Sequence, residues 1–275
     1  MTLAIAAAVI ALVQAGDVRT GRTSSGIAYD VQGQGPAVVL ITGSNLDRRM
    51  WTAEAAWLRL RHTVVRYDLR AHGASETATE PFTHADDLFA VLDDLRLERA
   101  TLIGLSAGST IALDAALLVP HRVDRLVLAA PAIGGYVPKE RPAFFSDLIA
   151  ALQARDVARA QEVMLQSPLF DVPADSRTLV RSMVTDNNRL WTIPRELLEA
   201  PSRPAADRLT EIAQPVLVLV GDRDLPAQRE QAEMLGSRLR RGRTVVIPEG
   251  GHMLNLTSAA RFREAVTAFL EGSAH

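Results

Sequence analysis

Short, fully apolar runs alternate with amphipathic segments along most of this chain. Residues 37–41 are apolar at every position, which is typical of a strand buried on both faces of a sheet. Residues 82–95 repeat apolar side chains at helical spacing and predict a helix with one buried face. The same reasoning predicts strands at residues 19–23, 27–31, 37–41, 63–67, 101–105, 125–129, 215–220 and 244–247, and helices at residues 52–61, 82–95, 111–118 and 259–270.

The order of these elements predicts the fold class. A strand followed by a helix and then by another strand favours parallel pairing, with the crossover helix packed on one face of the sheet. The turn residues Ser24-Ser25-Gly26 separate the first two strands and indicate a hairpin. The chain is therefore expected to form an α/β fold with a mostly parallel central sheet flanked by helices.

This alternation is interrupted between Pro131 and about Pro215. Strand patterns are missing there, and prolines separate four short helices predicted at residues 143–152, 156–165, 176–185 and 195–200. An insertion between two core strands hangs from the sheet edge at which the strands end, where it can cover a site. We therefore expect a helical lid at about residues 132–213, within a single domain that spans residues 16–275.

The composition excludes several classes of function. A formal net charge of −2 over 275 residues provides no basic face for nucleic acid. Cysteine is absent, which excludes disulfides, thiolate catalysis and zinc–sulfur sites. The sequence contains no Rossmann glycine pattern, P-loop or His-Glu-x-x-His motif, so we expect neither a nucleotide cofactor nor a metal ion.

The chain opens with an uncharged, apolar run at residues 3–13, followed by Val13-Gln14-Ala15 and then by polar residues. This pattern is similar to the core and cleavage site of a signal peptide, although no Lys or Arg precedes it. Residues 1–15 are thus either a signal peptide of a secreted or periplasmic protein or an N-terminal helix of a cytoplasmic one. The run is too short to cross a bilayer comfortably, so no stable membrane span is expected.

A G-x-S-x-G pattern, Gly104-Leu105-Ser106-Ala107-Gly108, lies between a predicted strand and an apolar helix. A strand that reverses directly into a helix places its turn residue in a strained conformation, and larger side chains two positions away would collide there. The hydroxyl of Ser106 is then raised at the positive end of the helix. Ser106 is the predicted nucleophile.

A serine hydroxyl is a poor nucleophile at neutral pH and needs a base to accept its proton. His252 follows Gly250-Gly251 in the loop between the last predicted strand and the last helix, where a mobile loop can present its imidazole. The rival histidine is His72, which precedes Ser106 and for which we favour a role in shaping its loop. His252 is therefore the predicted base.

A carboxylate is also needed, to orient the imidazole. The loop after the strand at residues 215–220 contains Asp222 and Asp224, whereas the preceding core strand ends without a carboxylate. Asp224 is the preferred residue and Asp222 remains the alternative. The resulting chain order of serine, aspartate and histidine is the one expected of a single fold, the α/β-hydrolase fold.

From Arg19 onwards the chain resembles the α/β-hydrolase superfamily. Residues 43–51 and 65–75 resemble its serine esterase and lactonase branch, which includes enzymes like 3-oxoadipate enol-lactonase and methylesterases. Family members usually have His-Gly after the third strand, where this chain has Thr42-Gly43. The resemblance implies that the backbone N–H groups of Ser44 and Ala107 form an oxyanion hole. It also implies structural roles for residues Asp68, Arg70 and His72.

The resemblance further implies a cofactor-free serine hydrolase that cleaves a small or medium carboxylic ester or lactone through an acyl-enzyme intermediate. Two alternatives remain open: a carbon–carbon bond hydrolase that uses the same triad, and a receptor-like protein whose pocket binds a small ligand. The sequence does not decide the oligomeric state. Large apolar residues of the lid, most of which we expect to pack against the core, are Phe144, Phe145, Leu148, Met164, Leu169, Phe170, Met183, Trp191 and Ile193.

Overall fold

The computed structural model describes residues 18–272. Within them, eight strands form one sheet: β1 Arg19–Arg22, β2 Ala28–Gln32, β3 Ala37–Ile41, β4 Thr63–Tyr67, β5 Ala100–Leu105, β6 Val123–Ala129, β7 Val216–Gly221 and β8 Gly242–Ile247. Their order across the sheet is β1-β2-β4-β3-β5-β6-β7-β8. The pairs β1–β2 and β2–β4 are antiparallel, and every other neighbouring pair is parallel. The predicted α/β fold is confirmed.

Helices cover both faces of this sheet, because successive residues of a central strand point in opposite directions. The helices are α1 Thr52–Leu58, α2 His84–Asp94, α3 Ala107–Leu118, α4 Phe144–Gln153, α5 Val157–Gln166, α6 Arg177–Asp186, α7 Pro226–Arg238, α8 Leu254–Thr257 and α9 Ala259–Glu271. Val39 and Ile41 of β3 belong to one apolar cluster together with buried residues of α2, α3 and α7. Val38 and Leu40 belong to a second cluster, which includes buried residues of α1, α9 and the inserted helices.

The insertion lies between β6 and β7 and contains α4, α5 and α6. Buried side chains of these three helices, such as Leu148, Met164 and Met183, belong to the same apolar cluster as α1 and α9. The inserted helices therefore share an apolar core with the helices α1 and α9.

Three elements differ in kind from the predictions, and one of them is the short helix α8, which the sequence pattern does not predict. The helix expected at residues 195–200 is only a 3-10 turn, Arg195–Leu197, because Phe82 exchanges backbone hydrogen bonds with Leu197 and Glu199. Helix α7 was not predicted at all. It buries only three side chains, those of Gln231, Ala232 and Leu235, so its sequence lacks a clear apolar face.

Residues 1–15, for which a signal peptide or an N-terminal helix is the expectation, lie outside the described residues. Between residues 18 and 272, no helix combines the length and the apolarity that crossing a membrane requires.

Candidate active site

Ser106 forms a sharp turn between β5 and α3, with φ 53° and ψ −115°. A non-glycine residue in such a conformation carries about 1–3 kcal/mol of strain. The flanking glycines make the turn possible: a Cβ atom on Gly104 would lie 2.2 Å from the carbonyl oxygen of Gly108, and one on Gly108 would lie 2.4 Å from that of Ile41. The Ser106 N–H donates to the Ala129 carbonyl at 2.9 Å, which fixes the turn against β6.

His252 and Asp224 form a buried pair. The His252 Nδ1 lies 3.0 Å from Oδ1 and 3.2 Å from Oδ2 of Asp224. An ionised carboxylate only accepts hydrogen bonds, so Nδ1 carries the proton and Nε2 is left as the acceptor. Asp222 is exposed, and the structure therefore places Asp224, not Asp222, beside the imidazole.

The two loops that carry this pair are joined through their backbones. The Arg223 N–H donates to the Gly250 carbonyl at 3.0 Å, and a Cβ atom on Gly221 would lie 2.0 Å from that same oxygen. Glycine at position 221 thus permits a close approach that any side chain would block. This contact holds Asp224 and His252 within hydrogen-bonding distance.

Ser106, Asp224 and His252 follow β5, β7 and β8, and the carboxyl ends of these parallel strands share one edge of the sheet. Among the described contacts, His252 bonds to Asp224, and the Ser106 hydroxyl makes no hydrogen bond to His252. Catalytic serine–histidine contacts are commonly long in structures without substrate and tighten when substrate binds.

The loop after β3 lies directly against the nucleophile turn. A Cβ atom on Gly43 would lie 3.5 Å from Ser106 Cβ. The next residue, Ser44, and the first residue of α3, Ala107, have backbone N–H groups with no intramolecular acceptor in residues 18–272. Two free N–H groups on either side of a serine are suited to binding an oxyanion, and the N-terminus of α3 adds its dipole.

His72 is held by both of its ring nitrogens. Its Nδ1 lies 2.7 Å from the Arg70 carbonyl, and its Nε2 accepts from the Asn45 N–H at 3.3 Å. Burial lowers the pKa of His72 and keeps the ring neutral. Asp68 likewise accepts from backbone N–H groups of Arg48 and Ala74. These contacts are those of residues that shape loops rather than transfer protons.

A family model described as "alpha/beta hydrolase fold" matches residues 36–259, most of the chain. This protein belongs to the alpha/beta hydrolase family. The family places its nucleophile in the strand–turn–helix segment that Ser106 occupies here.

Individual relatives of this hydrolase span nearly its whole length. "Putative carbamate hydrolase RutD" of Caulobacter sp. (strain K31) is 32% identical, and the match covers 92% of this chain and 98% of that protein. "3-oxoadipate enol-lactonase 2" of Acinetobacter baylyi is 26% identical and covers 87% of this chain and 90% of its own. The crystal structure of a hydrolase from Pseudomonas aeruginosa PA01 superposes with a TM-score of 0.75 at 26% identity, over 94% of this chain and all of its own.

Two polar residues of this hydrolase were not found from its sequence. Asn187, just after α6 in the insertion, is buried against the loop that carries Ser44. Glu54 of α1 is buried beside Asn255, three residues after His252. The sequence signal for Asn187 is its position directly after an amphipathic helix. Asparagine is common there because it can end a helix, so the position does not indicate a functional role. Glu54 gives no signal, because acidic residues are frequent in the first turn of a helix.

Burial raises the pKa of Glu54 from its ordinary 4.5 to about 7, although a hydrogen bond from Asn255 opposes the shift. Between pH 4.5 and about 7, the Glu54 carboxyl is ionised in the unfolded chain but still protonated in the folded protein. The free energy of unfolding therefore falls as the pH rises through this range. We expect Glu54→Gln, which stays neutral, to gain about 2.5 kcal/mol of unfolding free energy relative to the wild type between pH 5 and pH 8. Urea unfolding at both pH values measures this gain.

The matched control is Glu233→Gln, which changes an exposed residue of α7. Its stability relative to the wild type is expected to be the same at both pH values. A Glu54→Gln variant that behaves like this control would show that the Glu54 carboxyl is ionised in the folded protein at neutral pH.

Proposed function

We propose that this protein is a serine hydrolase that cleaves a small or medium carboxylic ester or lactone through an acyl-enzyme intermediate. The observation that carries the proposal is the buried Asp224 carboxylate on His252 Nδ1, at the sheet edge where Ser106 forms its strained turn. Together these features supply the oriented base and the raised hydroxyl that acyl transfer requires.

In the proposed reaction, Ser106 Oγ attacks the substrate carbonyl carbon while His252 Nε2 accepts the hydroxyl proton. The negative charge that develops on the carbonyl oxygen is stabilised by the N–H groups of Ser44 and Ala107. Asp224 stabilises the imidazolium, which then protonates the leaving alkoxide. Water, deprotonated by His252, hydrolyses the acyl-enzyme in the same way. With a lactone, the leaving hydroxyl remains attached to the acyl group.

The insertion supports a preference for apolar acyl groups of modest size. Leu148, Met164, Phe170 and Met183 are buried and belong to the apolar cluster that joins the insertion to α1 and α9. Partly buried apolar side chains of the insertion, which we propose contribute to the substrate pocket, are Phe144, Leu169, Trp191 and Ile193. Apolar walls with few fixed charges suit an uncharged ester or lactone.

A carbamate is the second candidate substrate, because the relative with 32% identity is named as a carbamate hydrolase. A carbamate carbonyl can be attacked by the same serine and passes through a comparable tetrahedral intermediate. The carbamate reaction differs from the ester reaction in its covalent intermediate, which is a carbamoyl-serine in place of an acyl-serine.

Labelling with a fluorophosphonate, followed by peptide mapping, tests this function. We expect one modified residue, Ser106. Turnover is then compared across 4-nitrophenyl esters of increasing acyl length, simple lactones, carbamates and a vinylogous diketone. The proposal predicts the highest kcat/KM among the short esters or lactones. Labelling at a different residue, or cleavage of the diketone alone, would contradict it.

A further inference from the structure

Asn187 connects the insertion to two loops of the core domain. It directly follows α6 and its side chain is buried. Its Nδ2 donates to the Asn45 carbonyl at 3.3 Å and to Asp47 Oδ2 at 3.2 Å, and its Oδ1 accepts from the Gly73 N–H at 2.6 Å. Both amide hydrogens and the amide oxygen therefore have partners more than a hundred residues away in sequence.

The loop that Asn187 contacts is the one that carries Ser44. Its next residue, Asn45, has φ 66°, a left-handed conformation that must be held by its surroundings. The Asn45 N–H is fixed by His72 Nε2, and its carbonyl is fixed by Asn187. Since Ser44 directly precedes this residue, these two contacts set the direction of the Ser44 backbone.

Asp47 gives Asn187 a second, charged partner in the same loop. Burial favours the neutral form of this carboxyl, but hydrogen bonds from Arg49 and Asn187 outweigh burial and hold the pKa of Asp47 below its ordinary value. The carboxylate is almost completely buried and is also held by the side chain and N–H of Arg49. Hydrogen bonds to a buried ionised group are stronger than those between neutral groups.

We infer that Asn187 is a positioning residue through which the insertion holds the oxyanion loop, residues 43–47, in its active geometry. The inference rests on the proposed function, since it assigns Asn187 an effect on the Ser44 N–H. An oxyanion is stabilised strongly only by donors that are already in place, because a mobile donor must be reorganised during the reaction. The insertion thus contributes to transition-state stabilisation as well as to the substrate pocket.

Two phosphorus reagents isolate this effect without knowledge of the natural substrate. Paraoxon presents a phosphoryl oxygen to the oxyanion hole, and parathion presents a sulfur, which is larger and a weaker hydrogen-bond acceptor. With either reagent, Ser106 Oγ forms a bond to phosphorus, the aryl P–O bond breaks, 4-nitrophenolate leaves and His252 takes the serine proton. The ratio of the two inactivation rate constants therefore reports on the oxyanion donors and not on the base.

In Asn187→Ala, we expect the paraoxon rate to fall about tenfold, less than for a deleted donor because the Ser44 N–H is displaced and not removed. The parathion rate is expected to change less than about twofold, so the ratio falls. Asn187→Asp keeps the acceptor for Gly73 and loses the two donations to the oxyanion loop. Its paraoxon rate should fall at least as far as that of Asn187→Ala. If the alanine variant does not fold, Asn187→Asp alone is used for the test.

Asn188→Ala is the matched control, because Asn188 is the same residue type, directly follows Asn187 and is exposed. Its ratio should equal that of the wild type. The inference is overturned if both Asn187 variants keep the wild-type ratio, if their two rates fall equally, or if both lose a cooperative thermal transition. If paraoxon leaves Ser106 of the wild type unmodified, the proposed function itself fails.

Discussion

Replacing Ser106 with alanine is expected to lower kcat by on the order of 10⁶-fold and to abolish fluorophosphonate labelling. The oxyanion donors remain in this variant, but no atom is left to form the acyl-enzyme. The fold should persist, because the hydroxyl makes no hydrogen bond among the described contacts and alanine retains the backbone geometry of the turn. Active-site titration and the thermal unfolding midpoint measure the two expectations separately.

Ser109→Ala is a suitable control for this experiment. Ser109 lies one turn further along α3, and its buried hydroxyl donates to the Gly104 carbonyl at 2.9 Å. Its loss should cost about 1 kcal/mol of stability while labelling at Ser106 is retained. If Ser106→Ala is still labelled at the wild-type rate, the nucleophile is a residue other than Ser106.

The second large effect concerns the carboxylate. Asp224→Asn is expected to lower kcat by on the order of 10⁴-fold, because an amide NH₂ facing His252 Nδ1 favours the tautomer with its proton on Nε2. That tautomer cannot accept the Ser106 proton. The Asp224 side chain is fully buried, so water does not restore the lost orientation.

Asp222→Asn is the matched comparison, since Asp222 lies two residues away and is exposed. We expect its kcat to stay within a few-fold of the wild type. Both variants should be labelled by a fluorophosphonate, Asp224→Asn far more slowly. A larger loss for Asp222→Asn than for Asp224→Asn would show that the loop rearranges when substrate binds.

The most central strands could be predicted from sequence because burial on both faces favours continuous apolar runs, and residues 37–41 form a fully buried strand at those bounds. Helix α7 could not, since it packs through few residues and one of them is Gln231. That side chain is buried because its Oε1 accepts from the Ile133 N–H at 2.7 Å, a contact between distant parts of the chain.

Some residues of the candidate site could likewise be predicted from the sequence, and others could not. Ser106 could be predicted because its turn imposes glycines at fixed nearby positions, and His252 because glycines precede it in a loop. The choice between Asp222 and Asp224 needed the structure, since both lie in one turn and only its path shows which carboxylate faces inward. Asn187 could not be predicted, because its partners Asn45, Asp47 and Gly73 are brought to it only by the folded chain.

The position of His252 after β8 has a consequence for biosynthesis. Ser106 leaves the ribosome well over a hundred residues before His252, and a domain can begin to fold as it emerges. If the β5–α3 turn forms at that stage, the proposed mechanism predicts a serine that has no base and is therefore unreactive. We expect reactivity to begin when β8 has joined β7, so the return of fluorophosphonate labelling during refolding would time that strand-pairing step.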